Sequence, residues 1–206
     1  MLLLVAVAAP AAAQRERVII RQAFEPAITP FIGASGFGVR TVGVSDGAEF
    51  DYNNGFVLGV QVDRPLTRRT GLLVTATVTP LTRVVGTNKP TIAELAKTVV
   101  GGVDLGIAGR LKPGAPLFVY VGGGVSMASN EAVLEPQGFV ADPRASVGIG
   151  IDVMRFERTG FRFLYLAHFV KPSTPDETQY TAQSSAFDQV FAIGGRMMLG
   201  KGRTTP

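Results

Sequence analysis

The sequence contains no cysteine and only one histidine among 206 residues. Without cysteine the chain has no disulfide framework, no thiolate zinc site and no cysteine nucleophile. A single histidine leaves little room for a histidine-based metal site. Charged residues are also scarce, at 17% against roughly 25% in typical soluble domains. We therefore predict neither a metal site nor a cofactor.

What the chain does contain is apolar residues and glycine. Hydrophobic residues make up 46%, which argues against disorder, because disordered chains combine low hydrophobicity with high net charge. The 25 glycines argue against a mainly helical protein, since each interior glycine costs a helix about 1 kcal/mol. So little charge beside so much glycine is unusual for a water-soluble domain.

The first thirteen residues, MLLLVAVAAPAAA, carry no charged side chain. The apolar stretch 2–9 has the length of a signal-peptide core, and the three alanines at 11–13 before Gln14 fit a small-residue cleavage site. The segment is too short to cross a bilayer as a helix, which needs about 20 residues. We predict that residues 1–13 are a signal peptide and that the protein is exported.

From Ala27 onward, apolar residues alternate with a period of two, and Gly, Pro, Asn and Asp close the segments. In one segment Phe56, Leu58, Val60 and Val62 alternate with Val57, Gly59, Gln61 and Asp63. We predict eight strands, at 28–39, 54–64, 70–81, 101–111, 117–127, 144–154, 160–170 and 188–199. Each strand is close to the roughly 9–11 residues that a tilted strand needs to cross a bilayer.

The connections between these strands alternate between short and long without exception. The short ones are PLTRR (65–69), KPGAP (112–116) and RFERT (155–159). Membrane barrels of the up-and-down type have short periplasmic turns and longer extracellular loops. The sequence therefore predicts an all-β fold, an eight-stranded antiparallel transmembrane β-barrel at 28–199. Residues 14–27 would be a periplasmic N-terminal segment and 200–206 a C-terminal tail.

The two faces of the predicted strands differ in composition. One face carries Leu, Val, Ile, Phe and Met, while the other consists largely of Gly, Ala, Ser and Thr with few charges. A soluble barrel would instead carry many Lys and Glu on its water-facing side. Small residues suit the crowded lumen of an eight-stranded barrel, and the apolar face suits lipid, which requires closed backbone hydrogen bonding.

The last predicted strand, FAIGGRMML (191–199), resembles the terminal insertion motif of outer-membrane barrels, with Gly194 followed by Met197 and Leu199 at alternating positions. The chain as a whole resembles the small eight-stranded outer-membrane barrels of Gram-negative bacteria, the OmpA-transmembrane-domain and OmpX-like group. The resemblance covers nearly the whole mature chain and rests on pattern. It implies a bacterial outer-membrane location, contact with outer-membrane lipid including lipopolysaccharide, and insertion by the barrel assembly machinery.

Several charged residues fall on the small-residue face, toward the periplasmic half. They are Asp63, Arg110, Asp152, Arg162 and Arg196. Charges in a low-dielectric lumen are very costly unless they are paired. We predict that these five form a salt-bridged plug that closes the lumen. The alternative is an ion or proton path, because charges within a membrane are functional candidates by default.

His168, the only histidine, lies near the outer end of the seventh predicted strand. An eight-stranded family of lipid A deacylases places a catalytic histidine in a similar position, with a serine two residues later. Here that position is Val170, so the nucleophile is missing, and a base without a nucleophile is not an acyl-transfer site. We predict that His168 is a hydrogen-bonding residue of the lumen or rim, and that the protein has no catalytic residues and no enzymatic activity.

The net charge of +4 does not indicate nucleic acid binding, because the basic residues lie at turn ends without an aromatic–basic stripe. Their position fits snorkelling toward anionic lipid headgroups. The long loops are where a rigid barrel would bind a partner, but no motif in them specifies an extracellular ligand. The leading hypothesis is a structural or adhesive barrel with a closed lumen. The alternatives are a barrel that binds or transports a small solute or lipid and, with less support, a lipid A-modifying hydrolase.

Overall fold

The computed structural model describes residues 25–38, 41–43, 49–86, 96–130, 140–154, 156, 158–173 and 180–199. The predicted signal peptide, residues 14–24 and the predicted tail lie outside these ranges. The strands are β1 (Ala27–Gly36), β2 (Thr41–Gly43), β3 (Glu49–Tyr52), β4 (Gly55–Pro65), β5 (Thr70–Gly86), β6 (Ala96–Gly109), β7 (Leu117–Asn130), β8 (Val140–Met154), β9 (Thr159–Val170), β10 (Tyr180–Ala182) and β11 (Ala186–Met198). No helix in the described ranges is long and apolar enough to cross a membrane.

Eight of these strands form a closed antiparallel barrel. In order around the wall they are β1, β4, β5, β6, β7, β8, β9 and β11. The ring closes where β11 pairs with β1, so that Phe31 lies opposite Gly194. Closure leaves no unpaired strand edge in the wall, which is what a hydrocarbon environment requires. The prediction of an eight-stranded antiparallel transmembrane barrel is confirmed.

Some predicted strand ends are wrong, and the largest differences lie at the long-loop end of the barrel. β5 continues to Gly86 and β6 begins at Ala96, because the two strands remain paired after a register shift between Thr79 and Thr82. β8 begins at Val140 and includes Pro143, which lies opposite Val125 of β7. The connections still alternate, with short turns at 66–69, 110–116 and 155–158 and longer loops at 37–54, 87–95, 131–139 and 171–185.

The side chains of the wall alternate between the lumen and the outside. On β9, Phe161, Phe163 and Phe169 are about half exposed, whereas Arg162 and Leu164 are buried. The other outward-facing side chains follow the same rule; they include Leu58, Val74, Ile107, Val121, Ile149 and Ile193. The outer surface is therefore apolar along the length of the barrel, as expected for a wall that lipid covers.

Glycine lets one large side chain fit inside the narrow barrel. The Tyr120 ring on β7 lies against Gly106 of β6 and Gly122 of its own strand. A Cβ atom at Gly106 would overlap the Val121 carbonyl oxygen and the Tyr120 ring, and one at Gly122 would overlap the Tyr120 hydroxyl and the Leu105 carbonyl oxygen. These two glycines are required by close approach of backbone and ring.

We expect Gly106→Ala to lower the free energy of unfolding by about 1–3 kcal/mol, because the added methyl group forces Tyr120 and the β7 backbone to shift. Urea unfolding in detergent, followed by gel mobility with and without heating, measures the change. Gly195→Ala is the matched control, because no heavy atom lies within 4 Å of a Cβ at that position, and we expect a change within about 0.5 kcal/mol. Equal losses in the two variants would contradict this account.

Candidate functional site

The five charged residues predicted for the lumen come together at its short-turn end. Arg162 lies between the two carboxylates: its Nη1 donates to Asp63 Oδ1 at 2.8 Å and its Nη2 to Asp63 Oδ2 at 2.7 Å, while its Nε donates to Asp152 Oδ1 at 2.7 Å. Arg162 is 1% exposed and Asp63 is 2% exposed. We call Asp63, Arg110, Asp152, Arg162 and Arg196 the turn-side cluster.

The other two arginines bind the same carboxylates. Arg196 Nη1 donates to Asp63 Oδ2 and lies 3.2 Å from Asp152 Oδ2. Arg110, which directly follows β6, donates from Nη2 to Asp152 Oδ2. Its Nη1 donates to the backbone carbonyls of Ala115 and Pro116, so the 110–116 turn folds over this end of the lumen. The cluster therefore joins β4, β8, β9, β11 and one turn.

Three arginines meet only two carboxylates here, so some of their donors need neutral acceptors. Arg162 Nη1 also donates to Gln61 Oε1 at 2.5 Å, and Gln61 Nε2 in turn donates to Thr75 Oγ1 at 2.9 Å. The Phe118 ring centroid lies 4.6 Å from Arg162 Cζ and 5.6 Å from Arg110 Cζ, in range for cation–π attraction. Gln61 and Phe118 were not predicted as cluster partners, although both lie at inward-facing positions of their strands.

A second buried polar group lies further along the lumen, and the sequence analysis identified only one of its members, His168, as a site candidate. Asp104 Oδ1 accepts hydrogen bonds from Arg144 Nε at 2.9 Å and from Ser146 Oγ at 2.6 Å, and Asp104 Oδ2 accepts from Arg144 Nη2. Ser146 Oγ is also 2.8 Å from His168 Nδ1. All four residues are buried. We call Asp104, Arg144, Ser146 and His168 the loop-side cluster.

Strand register explains how these four residues meet. Asp104, Gly124 and Arg144 share one row across β6, β7 and β8, and Gly124 places no side chain between the acid and the base. Ser146 and His168 are direct partners across β8 and β9. His168 lies two residues before the end of β9, with its side chain inside the barrel.

The loop-side cluster contains a serine, a histidine and an aspartate, the residue types of an acyl-transfer triad. A hydroxyl has one proton to donate, and Ser146 Oγ donates it to Asp104 Oδ1. The proton of the Ser146–His168 hydrogen bond therefore belongs to His168 Nδ1. In an activated serine the histidine accepts the hydroxyl proton. Ser146 is also only 1% exposed. This arrangement fits a structural hydrogen-bond network better than a nucleophile.

An apolar layer separates the two clusters. Along β9 the inward-facing side chains are Arg162, Leu164, Leu166 and His168 in that order, so two leucines lie between a residue of each cluster. Phe31, Val57 and Val190 pack in the same buried group as these leucines. From the short-turn end, the described lumen is thus ionic, then apolar, then ionic again.

No protein-family model and no curated protein matches this chain, but solved structures do. The crystal structure of the outer membrane protein OprG from Pseudomonas aeruginosa matches with a TM-score of 0.57 and 11% identity, over 86% of this chain and 98% of that one. The solid-state NMR structure of the outer membrane protein AlkL in lipid bilayers matches with a TM-score of 0.55 and 11% identity, over 90% of this chain and 95% of that one.

The outer membrane protease OmpT from Escherichia coli also matches, at 10% identity over 84% of this chain and 97% of that one. Its TM-score of 0.46 is too low to carry an argument about this chain, and the absence of enzymatic activity stays a prediction. Structural matches at 11% identity bear on the fold alone. In fold, these matches agree with the closed ring, the apolar outer wall and the alternating connections. In fold, this chain is a small eight-stranded β-barrel of the outer-membrane type.

Proposed function

We propose that this protein is a bacterial outer-membrane barrel with a closed lumen, without enzymatic activity, whose structural or adhesive role lies in its long loops. The observation that carries the proposal is the layered lumen, in which two clusters of buried ion pairs enclose an apolar layer. We further propose contact with outer-membrane lipid, including lipopolysaccharide, insertion by the barrel assembly machinery, and no nucleic acid partner.

The layered lumen supports closure for two physical reasons. The interior of an eight-stranded barrel is only wide enough for side chains to fill, and here the charged side chains bind one another. An ion path would have to separate buried partners, and breaking a buried pair costs about 3–5 kcal/mol. It would also have to hydrate the largely apolar layer that contains Leu164 and Leu166.

The long loops support a surface role because they are built on an extension of the barrel wall. β10 pairs with β2, β2 with β3, and β3 with the end of β5 at Val84–Gly86. The loops 37–54 and 171–185 are therefore joined by backbone pairing. Their bases are also tied to the barrel: Gly38 N donates to Asp188 Oδ1 at 3.3 Å, and Ser173 N donates to Asp142 Oδ1 at 2.8 Å. A rigid base of this kind is where a barrel can present a binding surface.

Planar-bilayer recording of the purified protein tests the proposal. We expect no steady conductance above the bilayer background, because both ionic layers and the apolar layer stay intact. A gel-mobility shift on heating shows that each sample is folded. Arg64→Ala is recorded beside the wild-type protein as a control, because Arg64 is exposed outside the lumen. Steady, large conductance steps from the folded wild-type protein would reject the closed lumen and favour the transport alternative.

A further inference from the structure

Each short turn of the barrel combines a strongly exposed apolar side chain with basic neighbours. Leu66, Leu111 and Phe156 are 53%, 87% and 60% exposed. The exposed basic residues of the same turns are Arg64, Arg68 and Arg69 around Leu66, Lys112 beside Leu111, and Arg158 near Phe156. We call these eight residues the turn rim.

Four of the five basic residues of the turn rim keep an unneutralised charge. Among the described residues, no ion pair joins Arg64, Arg68, Arg69 or Lys112 to a carboxylate. The sequences of the long-loop segments differ in charge from the turn rim: 37–54, 87–95, 131–139 and 171–185 contain eight acidic and three basic residues.

The apolar residues of the turn rim continue the lipid-facing wall. Val62 and Val153, near the ends of β4 and β8, face outward and are about 40% exposed. Leu66 and Phe156 follow them in the next turns, so the apolar surface does not stop at the strand ends. Exposed leucine and phenylalanine beside arginine are typical of segments that lie at a membrane interface, with the apolar groups in the acyl boundary and the bases at the headgroups.

We propose that the turn rim binds the headgroups of anionic phospholipids in the leaflet at the short-turn end. The guanidinium groups of Arg64, Arg68 and Arg69 donate hydrogen bonds to phosphate oxygens, which match the planar donor pattern of arginine. Leu66, Leu111 and Phe156 enter the boundary of the acyl chains. This inference rests on the membrane-spanning barrel and is independent of the closed lumen and of the role of the loops.

Electron spin resonance of the reconstituted full chain tests this inference. It compares the association of spin-labelled phosphatidylglycerol and spin-labelled phosphatidylcholine with the barrel in phosphatidylcholine vesicles. A basic side chain near an anionic surface contributes about 1 kcal/mol, which is about fivefold in affinity, and only part of the lipid shell touches the turn rim. We expect a wild-type preference for phosphatidylglycerol of about twofold or more, and a clearly lower ratio in the triple variant R64Q/R68Q/R69Q, in which Lys112 and Arg158 remain.

Controls separate the turn rim from general charge effects. Lys171→Gln removes an exposed base at the long-loop end and should leave the ratio unchanged, while about 1 M salt, where the Debye length is about 3 Å, should lower the wild-type ratio. Should the triple variant fail the gel-mobility test of folding, Arg68→Gln is used with the same readout.

Three results would overturn the inference. They are no preference in the wild-type protein, an unchanged preference in the folded triple variant, and a loss in Lys171→Gln as large as in Arg68→Gln. Inorganic phosphate at matched ionic strength adds a further check: a fall in the ratio beyond that with sodium chloride would assign the surface to free phosphate instead of lipid. A conducting lumen would leave all of these outcomes unaffected.

Discussion

Arg162→Ala is expected to lower the free energy of unfolding by about 3–5 kcal/mol, because it leaves two buried carboxylates without their main partner. Arg162 donates to Asp63 through two nitrogens and to Asp152 through two nitrogens. Arg110 and Arg196 each contact these carboxylates through a single nitrogen. Arg196 stays beside both carboxylates in the variant but offers a single Nη1 to them. Urea unfolding in lipid vesicles, followed by gel mobility, measures the loss.

Arg64→Ala is the matched control for this prediction, because Arg64 follows Asp63 on the same strand but is exposed outside the barrel. In vesicles of phosphatidylcholine alone, where the turn rim meets no anionic lipid, we expect it to change the free energy of unfolding by no more than about 0.5 kcal/mol. The double variant Asp63→Asn with Arg162→Ala should not recover the loss, since Arg110 and Arg196 would then face the single carboxylate of Asp152. If Arg162→Ala were as mild as Arg64→Ala, the turn-side cluster would not stabilise the barrel.

Asp104→Ala is expected to have an effect of similar size, about 3–5 kcal/mol, in the loop-side cluster. The variant leaves Arg144 buried without a carboxylate and removes the acceptor of the Ser146 hydroxyl. Ser146→Ala is the graded comparison: it deletes the two hydrogen bonds of the Ser146 hydroxyl, keeps the ion pair and should cost about 1–3 kcal/mol. The same unfolding measurement distinguishes the two.

The expected order of these variants is itself a test. Because Ser146 holds His168 in place but does not carry the charge balance, Ser146→Ala must be the milder change. A larger loss in Ser146→Ala than in Asp104→Ala would show that the hydrogen bond to His168, and not the ion pair, stabilises this part of the lumen.

The eight strands could be predicted from the sequence because one face of each is apolar and the other small, which fixes the phase of every strand. The strand ends predicted from this alternation are wrong where the structure changes register. Between Thr79 and Thr82 the β5–β6 ladder shifts, so the period of two is interrupted although pairing continues. The start of β8 was predicted too late for a different reason, because proline usually ends a strand or lies at its edge. Here Pro143 is inside β8, and its carbonyl oxygen accepts a hydrogen bond from Lys171 N at 3.0 Å.

The turn-side cluster was accessible to sequence reasoning because strand direction and inward phase place its five charges at one end. The loop-side cluster was not, because its contacts depend on register across three strands. Asp104 meets Arg144 only because Gly124 stands between them in the same row. His168 is hydrogen-bonded to Ser146, which precedes it by 22 residues on the neighbouring strand, whereas the deacylase pattern places a serine two residues after the histidine.

The sequence separation of the turn-side pairs has a consequence for the lifetime of the barrel. Neighbouring strands can pair as soon as each hairpin exists, but the Arg162–Asp63 pair joins residues 99 apart and the Arg196–Asp63 pair joins residues 133 apart. These contacts require both halves of the chain to meet, so they form late, once the ring has closed. Interactions that form after the rate-limiting step slow unfolding and leave the rate of folding nearly unchanged. We infer that the turn-side cluster determines how long a finished barrel persists, and not how quickly one is made.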